Sequence, residues 1–317
     1  MSMRVKDILS LAESKLRQSG IESPETDSKI LYCYMMNIPR TKLIFEYQDI
    51  LPDAGCDKYY ELLDRRAKGE PIQYILGTQD FMGHTFAVNH LVLIPRPETE
   101  VLCENAISLI NKGCLCDDAK LIKEPTADFS EIHCGQSPKE YMKKAWSVLD
   151  LCTGSGALGV SIAKDASSAK VTCSDLSEDA LVVAKKNATS NGVNVNFAYG
   201  DLFEPFKKRF GKKVKFDLIV TNPPYVKSDI IPTLQREVKD FEPHMALDGG
   251  ADGFDIIKRI VSDAPDFLKK QGIIMMEIGD DQMQECLKLF ADDERYGECF
   301  GIKDLAGRDR IAFAILK

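Results

Sequence analysis

The first eighty residues carry apolar side chains at helical spacing. One such run extends from Val5 to Leu16, a second begins at Pro24, and a third begins at Asp57. Apolar residues that return every three or four positions form one face of an amphipathic helix. The pattern therefore predicts a small helical bundle over residues 1–80, which we interpret as a substrate-recognition domain. A bundle that only stabilises the chain would show the same pattern.

The period changes to two after this bundle. Residues alternate between two faces from Phe81, the pair Asn89-His90 interrupts them, and an apolar stretch then ends at Ile94. Alternation that is interrupted by turn-forming residues is typical of a β-hairpin. We therefore predict a β-hairpin linker over residues 81–98 between two domains.

Strands and helices alternate from Trp146 onward, within a domain that we place over residues 99–317. This order predicts an α/β fold with a doubly wound, seven-stranded and mostly parallel sheet, whose last two strands pair antiparallel at one edge. The predicted strands are residues 148–151, 170–174, 195–199, 217–220, 272–278, 299–302 and 310–316. The predicted helices are residues 157–164, 178–190, 253–267 and 282–290. Residues 111–145 show no periodicity and are expected to form an insertion.

Composition and charge narrow the class of protein. The hydrophobic fraction is 44% and the formal net charge is −8, whereas a protein that covers nucleic acid needs a basic face. No stretch approaches about 18 apolar residues, the length of a membrane span, and the first residues lack the apolar core of a signal peptide. We therefore expect a cytoplasmic protein without membrane contact. The ten cysteines have no regular spacing and are expected to be reduced core residues.

Two short cysteine-containing pairs in the predicted insertion raise the question of a metal site. One residue separates Cys114 from Cys116, and Cys134 follows His133 directly. Structural zinc sites normally place two to four residues between paired cysteine ligands. We therefore predict no metal site.

A glycine-rich segment, here called the glycine turn (residues 152–159), follows the first strand of the C-terminal domain. Gly154, Gly156 and Gly159 match the spacing G-x-G-x-x-G between a strand and a helix. This spacing is the dinucleotide-binding fingerprint, because glycines let a ligand approach the backbone closely. Any cofactor that carries a nucleoside can use such a turn, so NAD and S-adenosylmethionine both remain open.

Three aspartates flank this turn in the predicted sheet. Asp175 ends the second strand and could bind both ribose hydroxyls, with a helix N-cap as the structural alternative. Asp201 follows the third strand and could accept the adenine amine, or be a solvated loop acid. Asp150 precedes the turn, where a carboxylate suits an ammonium and a sulfonium better than a pyrophosphate. Asp150 therefore favours S-adenosylmethionine.

The segment Thr221-Asn222-Pro223-Pro224-Tyr225, here called the proline corner, follows a buried strand. Two prolines fix the backbone and remove two donors, and the residue before a proline is held extended. Ligands bind at this edge of open α/β sheets. A rigid amide with free carbonyls suits a substrate that presents an N–H₂ group, whereas an ordinary proline-rich turn is the structural alternative.

Several stretches resemble methyltransferase motifs. Residues 149–156 (Leu-Asp-Leu-Cys-Thr-Gly-Ser-Gly) resemble motif I of class I methyltransferases, and the proline corner is similar to the signature of those that methylate planar nitrogens. Three further stretches resemble the HemK/PrmC family, which methylates the glutamine of the Gly-Gly-Gln motif in peptide chain release factors. These are Ile-Pro-Arg-Pro-Glu-Thr-Glu at 94–100, Phe-Glu-Pro at 241–243 and Asp-x-Ala-Gly-x-Asp-Arg at 304–310.

The chain departs from this family at two places. Cys152 stands where the family usually has glycine, which would crowd the cofactor turn. The segment 111–145 is longer than the usual linker, which leaves its role open.

The resemblance implies a cofactor, a partner and a set of site residues. The cofactor is S-adenosylmethionine, which leaves as S-adenosylhomocysteine, and the partners are class 1 release factors. The acidic net charge predicts no stable nucleic-acid complex. The sequence leaves the oligomeric state open, with a monomer as the expectation. The residues implied for the cofactor are Asp150, Cys152, Thr153, Gly154, Ser155, Gly156, Asp175, Asp201, Leu202 and Asn222. Those implied for catalysis are Asn222, Pro223, Pro224 and Tyr225. Those implied on the substrate side are Arg96, Glu98, Glu242 and Glu277, each of which is also interpretable as a loop, helix-start or strand-end charge.

The expected function is therefore that of a protein-(glutamine-N5) methyltransferase. A methyltransferase for an exocyclic amine of rRNA, tRNA or DNA would use the same proline corner and is the first alternative. An NAD-linked oxidoreductase would use the glycine spacing but would leave the proline corner unexplained. A non-catalytic binding module would not need an intact Asn222.

Overall fold

The computed structural model of the chain describes residues 3–116, 119–121, 145–207 and 214–317. It divides into two compact units. The helical unit contains the residues up to Thr78 together with Leu234–Glu242. The sheet unit contains Gln79–Thr233 and Pro243–Lys317.

The helices and strands are numbered here in chain order. The helices are α1 (Val5–Gln18), α2 (Pro24–Met36), α3 (Leu43–Glu46), α4 (Asp53–Ala67), α5 (Ile72–Leu76), α6 (Pro97–Lys112), α7 (Ala157–Asp165), α8 (Glu178–Ser190), α9 (Arg236–Phe241), α10 (Asp255–Asp263) and α11 (Met283–Ala291). The strands are β1 (Met3–Arg4), β2 (Ile50–Leu51), β3 (Thr78–Phe81), β4 (His84–Ala87), β5 (Lys120–Leu121), β6 (Trp146–Leu151), β7 (Ala169–Asp175), β8 (Asn196–Tyr199), β9 (Phe216–Thr221), β10 (Leu268–Glu277), β11 (Tyr296–Lys303) and β12 (Asp309–Leu316). In the part of the chain that is described, no helix is both long and apolar enough to cross a lipid bilayer.

The helical unit is built on α1, α2 and α4, which confirms the predicted N-terminal bundle. Their apolar faces meet around Leu16, Tyr32 and Leu63, all of which are buried. The hydroxyl of Tyr59 is also buried and donates to the carbonyl of Ser28 at 2.8 Å. Packing of these faces therefore holds helices that would be marginal alone in water.

Helix α9 belongs to this unit although the sequence placed it in the C-terminal domain. Arg66 of α4 is buried and contacts two carboxylates, Asp27 Oδ2 at 2.7 Å and Glu237 Oε1 of α9 at 2.5 Å. Gln235 Nε2 also donates a hydrogen bond to Glu22 Oε1 at 2.7 Å. Removing one partner of a buried ion pair is costly, so these contacts fix α9 on the helical bundle.

The sheet unit contains an eight-stranded sheet with the order β5-β11-β12-β10-β9-β6-β7-β8. Strands β8, β7, β6, β9 and β10 are parallel, whereas β12 is antiparallel to both β10 and β11. This confirms the predicted doubly wound sheet and the antiparallel pairing of the last two strands. The two-residue strand β5 adds an eighth strand beside β11. Most of the predicted insertion, including His133 and Cys134, lies outside the described residues.

Both faces of the sheet are covered, because successive residues of a strand point to opposite sides. Val148 packs in the core under α6 and α7, whereas its neighbour Leu149 packs in the core under α10 and α11. Met275 and Met276 of β10 divide in the same way. The continuous apolar runs in the sequence are therefore strands that are buried on both faces.

Two predicted elements differ from the structure. The hairpin comprises β3 and β4, and residues 91–94 do not form its second strand. Met82 and Gly83 both take positive φ angles, 53° and 71°, which suit a two-residue hairpin turn. The sequence analysis missed this turn because methionine rarely adopts such a conformation. The helix predicted over 253–267 ends at Asp263 and continues only as a short 3₁₀ turn around Pro265, since proline cannot donate to a continuing helix.

Candidate active site

The predicted cofactor and catalytic residues lie at the carboxyl ends of four adjacent strands, β8, β7, β6 and β9. Strand β6 lies between β7 and β9, and Leu151 at its end is opposite both Ser174 and Thr221. The chain order of the strands reverses between β6 and β9. Ligands bind at such a switch point in open α/β sheets.

A cavity of about 570 Å³ opens at this edge, a size that is typical of small-molecule sites. The residues of the predicted site that line it are Cys152, Gly154, Asp175, Asp201, Leu202, Asn222 and Pro224. The sequence analysis missed two other parts of its wall, residues 91–93 after the hairpin and residues 243–246 after α9. The apolar stretch 91–93 was interpreted as a strand, which concealed its role in the wall.

The glycine turn has a strained start and a tightly packed end. Cys152 takes a φ of 61° and Gly154 a φ of 55°, a region that glycine adopts freely and other residues adopt at a cost. A Cβ at Gly159 would lie 2.6 Å from Cys173 Sγ and 2.8 Å from Asp150 Oδ2. Gly159 therefore lets α7 pack directly on β6 and β7.

Asp175 joins the glycine turn to the start of α8. Its Oδ2 accepts the N–H of Gly154 at 2.8 Å and its Oδ1 accepts the N–H of Ser177 at 2.9 Å. Ser177 is the N-cap of α8, since its hydroxyl oxygen accepts the N–H of Ala180. Asp175 is therefore not the N-cap of this helix. Burial raises the pKa of Asp175, and the backbone N–H bonds oppose this rise. Each carboxylate oxygen keeps a further lone pair for a ligand at the cavity wall.

Asp150 lies behind the glycine turn, outside the cavity lining. Its Oδ2 accepts the hydroxyl of Thr153 and, at 2.9 Å, the N–H of Gly159. Burial raises its pKa to about 7, against the bonds from Thr153 and Gly159, which lower it. This carboxylate therefore braces the turn from within the protein. Thr153, Ser155 and Gly156 of the predicted cofactor set likewise lie outside the cavity lining.

Asp201 and Leu202 form the wall beyond β8. Asp201 Oδ2 is 2.6 Å from a guanidinium nitrogen of Arg259, so this acid is paired rather than simply solvated. Leu202 takes a φ of 46°, a conformation that branched side chains rarely adopt. The sequence analysis did not identify Arg259, because nothing local connects it with Asp201.

The proline corner is held from behind by a buried carboxylate. Asn222 Nδ2 donates to Thr99 Oγ1 at 3.2 Å, and the hydroxyl of Thr99 donates to Glu277 Oε2 at 2.6 Å. The hydroxyl of Tyr225 donates to Glu277 Oε1 at 3.2 Å. Pro223, which follows Asn222 in the sequence, is buried. Glu277 thus hydrogen-bonds directly to Tyr225, and it is connected to Asn222 through the hydroxyl of Thr99.

Arg310 lies close enough to Glu277 to act on its charge. Burial raises the pKa of Glu277, whereas the bond from Thr99 and the charge of Arg310 lower it. The guanidinium of Arg310 also donates to the carbonyl of Ile278 and to Asp304 Oδ2, each at 3.3 Å. Thr99 and Arg310 were missed as site residues, although both stand inside stretches that carried the family resemblance.

The remaining substrate-side residues belong to different helices. Arg96 is the N-cap of α6, and Glu98 is exposed in the first turn of that helix, where an acid favours the helix dipole. Glu242 is buried and ends α9 in the helical unit. Glu277 hydrogen-bonds to Tyr225 of the proline corner, and Arg96 also acts on this tyrosine: burial raises the pKa of Tyr225, and the charge of Arg96 lowers it.

Comparison with known proteins agrees with this fold. The PrmC N-terminal domain model matches residues 7–77, and the methyltransferase small domain model matches residues 138–238. The release factor glutamine methyltransferase of Clostridium acetobutylicum is 37% identical over 317 residues, which cover 99% of each chain. That of Bacillus cereus is 32% identical over 98% of this chain and 99% of its own. That of Geobacter sulfurreducens is 33% identical over 97% of this chain and 95% of its own.

The fold and the domain match define the sheet unit as a methyltransferase. Similarity to relatives over nearly their whole length carries the assignment further. The chain belongs to the family of release factor glutamine methyltransferases. This membership removes support for the NAD-linked alternative.

Proposed function

We propose that the protein transfers the methyl group of S-adenosylmethionine to the side-chain amide nitrogen of the glutamine in the Gly-Gly-Gln motif of class 1 peptide chain release factors. The observation that carries this proposal is the orientation of Asn222. Its Nδ2 is bonded to Thr99, so its Oδ1 remains an acceptor at the cavity that it lines. The names of the relatives support the release factor as the substrate.

The residues of the cavity fit the cofactor. Gly154 is open on its ligand side, since a Cβ there would meet no atom within 4 Å. Asp175 at the adjacent wall has acceptor capacity for two ribose hydroxyls. Asp201 supplies a further carboxylate for an amine at the cavity wall. When bound, S-adenosylmethionine supplies an electrophilic methyl group on a sulfonium.

The proline corner supplies what an amide nitrogen lacks. This nitrogen is a weak nucleophile because its lone pair is delocalised into the carbonyl. The Oδ1 of Asn222 and the carbonyl oxygen of Pro223 each accept a hydrogen bond from one N–H group of the substrate amide. These two bonds orient the nitrogen toward the methyl group. These acceptors also stabilise the positive charge that grows on the nitrogen, as an oxyanion hole stabilises negative charge. Fixed orientation lowers the barrier further, and no general base is required before transfer.

The choice of a protein over a nucleic acid as substrate has two supports. The formal net charge of −8 disfavours a long phosphate backbone. The relatives that match over nearly the whole chain carry the release factor in their names. An exocyclic amine of RNA or DNA would need the same two acceptors and is therefore an outcome that the test must separate.

The test is a methylation assay with S-adenosylmethionine that carries a labelled methyl group. Purified release factor and its variant with alanine in place of the Gly-Gly-Gln glutamine are offered side by side, with ribosomal RNA as a third substrate. We expect label on the first substrate only. Label on ribosomal RNA but on neither protein would contradict a protein substrate and indicate a nucleic-acid amine instead. Equal label on both proteins would show that the Gly-Gly-Gln glutamine is not the methylated residue.

A further inference from the structure

Three side chains form a continuous hydrogen-bonded line behind the proline corner. Glu277 ends β10 and Thr99 lies in the first turn of α6, and both are buried, with exposed fractions of 1% and 6%. Thr99 donates to Glu277 at 2.6 Å and accepts from Asn222 at 3.2 Å. The line therefore connects the interior of the sheet unit with the cavity wall.

The number of protons in this line fixes its direction. A threonine hydroxyl has one proton to donate, and both oxygens of Glu277 accept hydrogen bonds, one from Thr99 and the other from Tyr225. Because Thr99 gives its proton to Glu277, only the lone pairs of its oxygen remain for Asn222. The side of Asn222 that faces Thr99 must then be the N–H₂ group, and the carbonyl oxygen must face away.

We propose that Thr99 is a positioning residue that fixes the orientation of the Asn222 amide for methyl transfer, and that Glu277 sets the direction of the Thr99 hydroxyl. The inference rests on the proposed function, because an accepting oxygen at Asn222 is what the amide substrate requires. A flipped Asn222 would turn its own N–H₂ group toward the N–H groups of the substrate. No hydrogen bond can form between two such donors.

The structural alternative is that Thr99 only holds the start of α6. Its backbone N–H donates to the carbonyl of Arg96 at 3.1 Å, and α6 packs on the sheet. Loss of this packing would lower activity without any role for the orientation of Asn222. The test must therefore compare the effect of Thr99 with and without the Asn222 amide.

The test replaces the hydroxyl of Thr99 by a methyl group of similar size. Thr99→Val is made in the natural chain and in Asn222→Ala, and kcat, KM for release factor and Kd for S-adenosylhomocysteine are measured. We expect kcat to fall about tenfold in the natural chain, the value of one ordinary hydrogen bond, with cofactor Kd unchanged. In the Asn222→Ala background we expect no further fall. Thr99→Ser, which restores a hydroxyl, should recover most of kcat.

Thr85→Val is the matched control. The Thr85 hydroxyl also donates to a carboxylate, Asp80 Oδ1 at 2.8 Å, in the hairpin. The same chemical change is thus made outside the proline corner, and kcat should stay unchanged. A tenfold loss from Thr99→Val in both backgrounds would overturn the proposal, because it would assign Thr99 a purely structural role.

A second readout does not depend on the substrate. The side-chain amide of Asn222 gives a pair of ¹⁵N–¹H signals, which Asn222→Ala identifies by their disappearance. We expect Thr99→Val to shift these signals and Thr99→Ser to leave them close to their original positions. Signals that stay in place in Thr99→Val would overturn the positioning role. Absence of methyl transfer by the natural chain would instead contradict the proposed function, while the signals would still decide the orientation of Asn222.

Discussion

The glycine turn and the proline corner are each supported by a buried carboxylate, but the two carboxylates support different things. Asp150 contacts a hydroxyl and a backbone N–H of the glycine turn, and so it fixes the shape of a backbone. Glu277 contacts Tyr225 and Thr99, and so it fixes the direction of side chains. The first carboxylate therefore supports the backbone that lines the cavity at Gly154, and the second supports the amide that lines it at Asn222.

This difference indicates how the two regions divide their tasks. A surface made of backbone atoms can bind a cofactor of fixed shape. Substitution of one side chain alters only part of such a surface. In the proposed mechanism the amide of Asn222 accepts one N–H group of the substrate and stabilises the growing positive charge, so its loss has no such reserve. Substitutions at the proline corner are therefore expected to lower kcat, and substitutions at the glycine turn are expected to lower cofactor affinity or stability.

The largest effect is expected at Asn222. Asn222→Ala removes a preorganised polar group, so kcat should fall by about 10²–10³, as for the loss of one oxyanion-hole donor. The Kd for S-adenosylhomocysteine, measured by calorimetry, should change little. Asn194→Ala, at an exposed position, is the matched control and should keep full turnover. Near-normal turnover in Asn222→Ala would remove the proline corner from the mechanism.

An intermediate effect is expected at Asp175. Asp175→Asn replaces one accepting oxygen and removes the charge, while the side chain keeps its size. Hydrogen bonds to charged groups contribute about 1.5–3 kcal/mol, so the Kd for S-adenosylhomocysteine should rise about 10- to 100-fold, with kcat at saturating cofactor largely kept. Asp179→Asn makes the same change at an exposed residue of α8. If both variants bind equally well, Asp175 has no contact with the cofactor.

The smallest effect is expected at Asp150 and depends on pH. Its pKa of about 7 in the folded protein lies above the value of about 4 in an unfolded chain. The folded state therefore holds the proton between these values, and the free energy of unfolding decreases as the pH rises from about 4 to about 7. In Asp150→Asn this contribution is absent, so the loss of stability between pH 5 and pH 8 should be smaller by about 2 kcal/mol.

Urea unfolding of both proteins without cofactor measures this difference. A constant offset between them reports the altered bonds to Thr153 and Gly159, and only the change of the offset with pH reports the proton. Parallel pH profiles would show that Asp150 is ionised in the folded protein throughout this range.

The parts of the site that follow from local patterns could be predicted from the sequence. The glycine spacing, the acids at strand ends and the two prolines each act within a few residues. Parallel strands bring their carboxyl ends to one edge, so the sequence alone predicts that Gly154, Asp175 and Asn222 lie close together. The sheet and its antiparallel edge followed from the order of elements.

Contacts between distant segments could not be predicted in this way. Thr99 reaches Glu277 only because α6 packs across the end of β10, and a threonine in a helical first turn carries no local sign of that contact. Arg259 and Arg310 are paired by the same kind of packing. The hairpin register depended on Met82 in a conformation that its residue type disfavours.

The bond between Arg66 and Glu237 has a consequence for the order in which the protein is made. The helical unit starts at the beginning of the chain, yet α9, which pairs with its buried arginine, is translated after the glycine turn and the proline corner. The ribosome therefore synthesises residues 79–233 of the sheet unit before it synthesises α9 of the helical unit. Of the two carboxylates that pair with Arg66, only Asp27 is present in a chain that ends at Thr78. This unit can therefore complete its ion pairs only after the glycine turn and the proline corner have been synthesised.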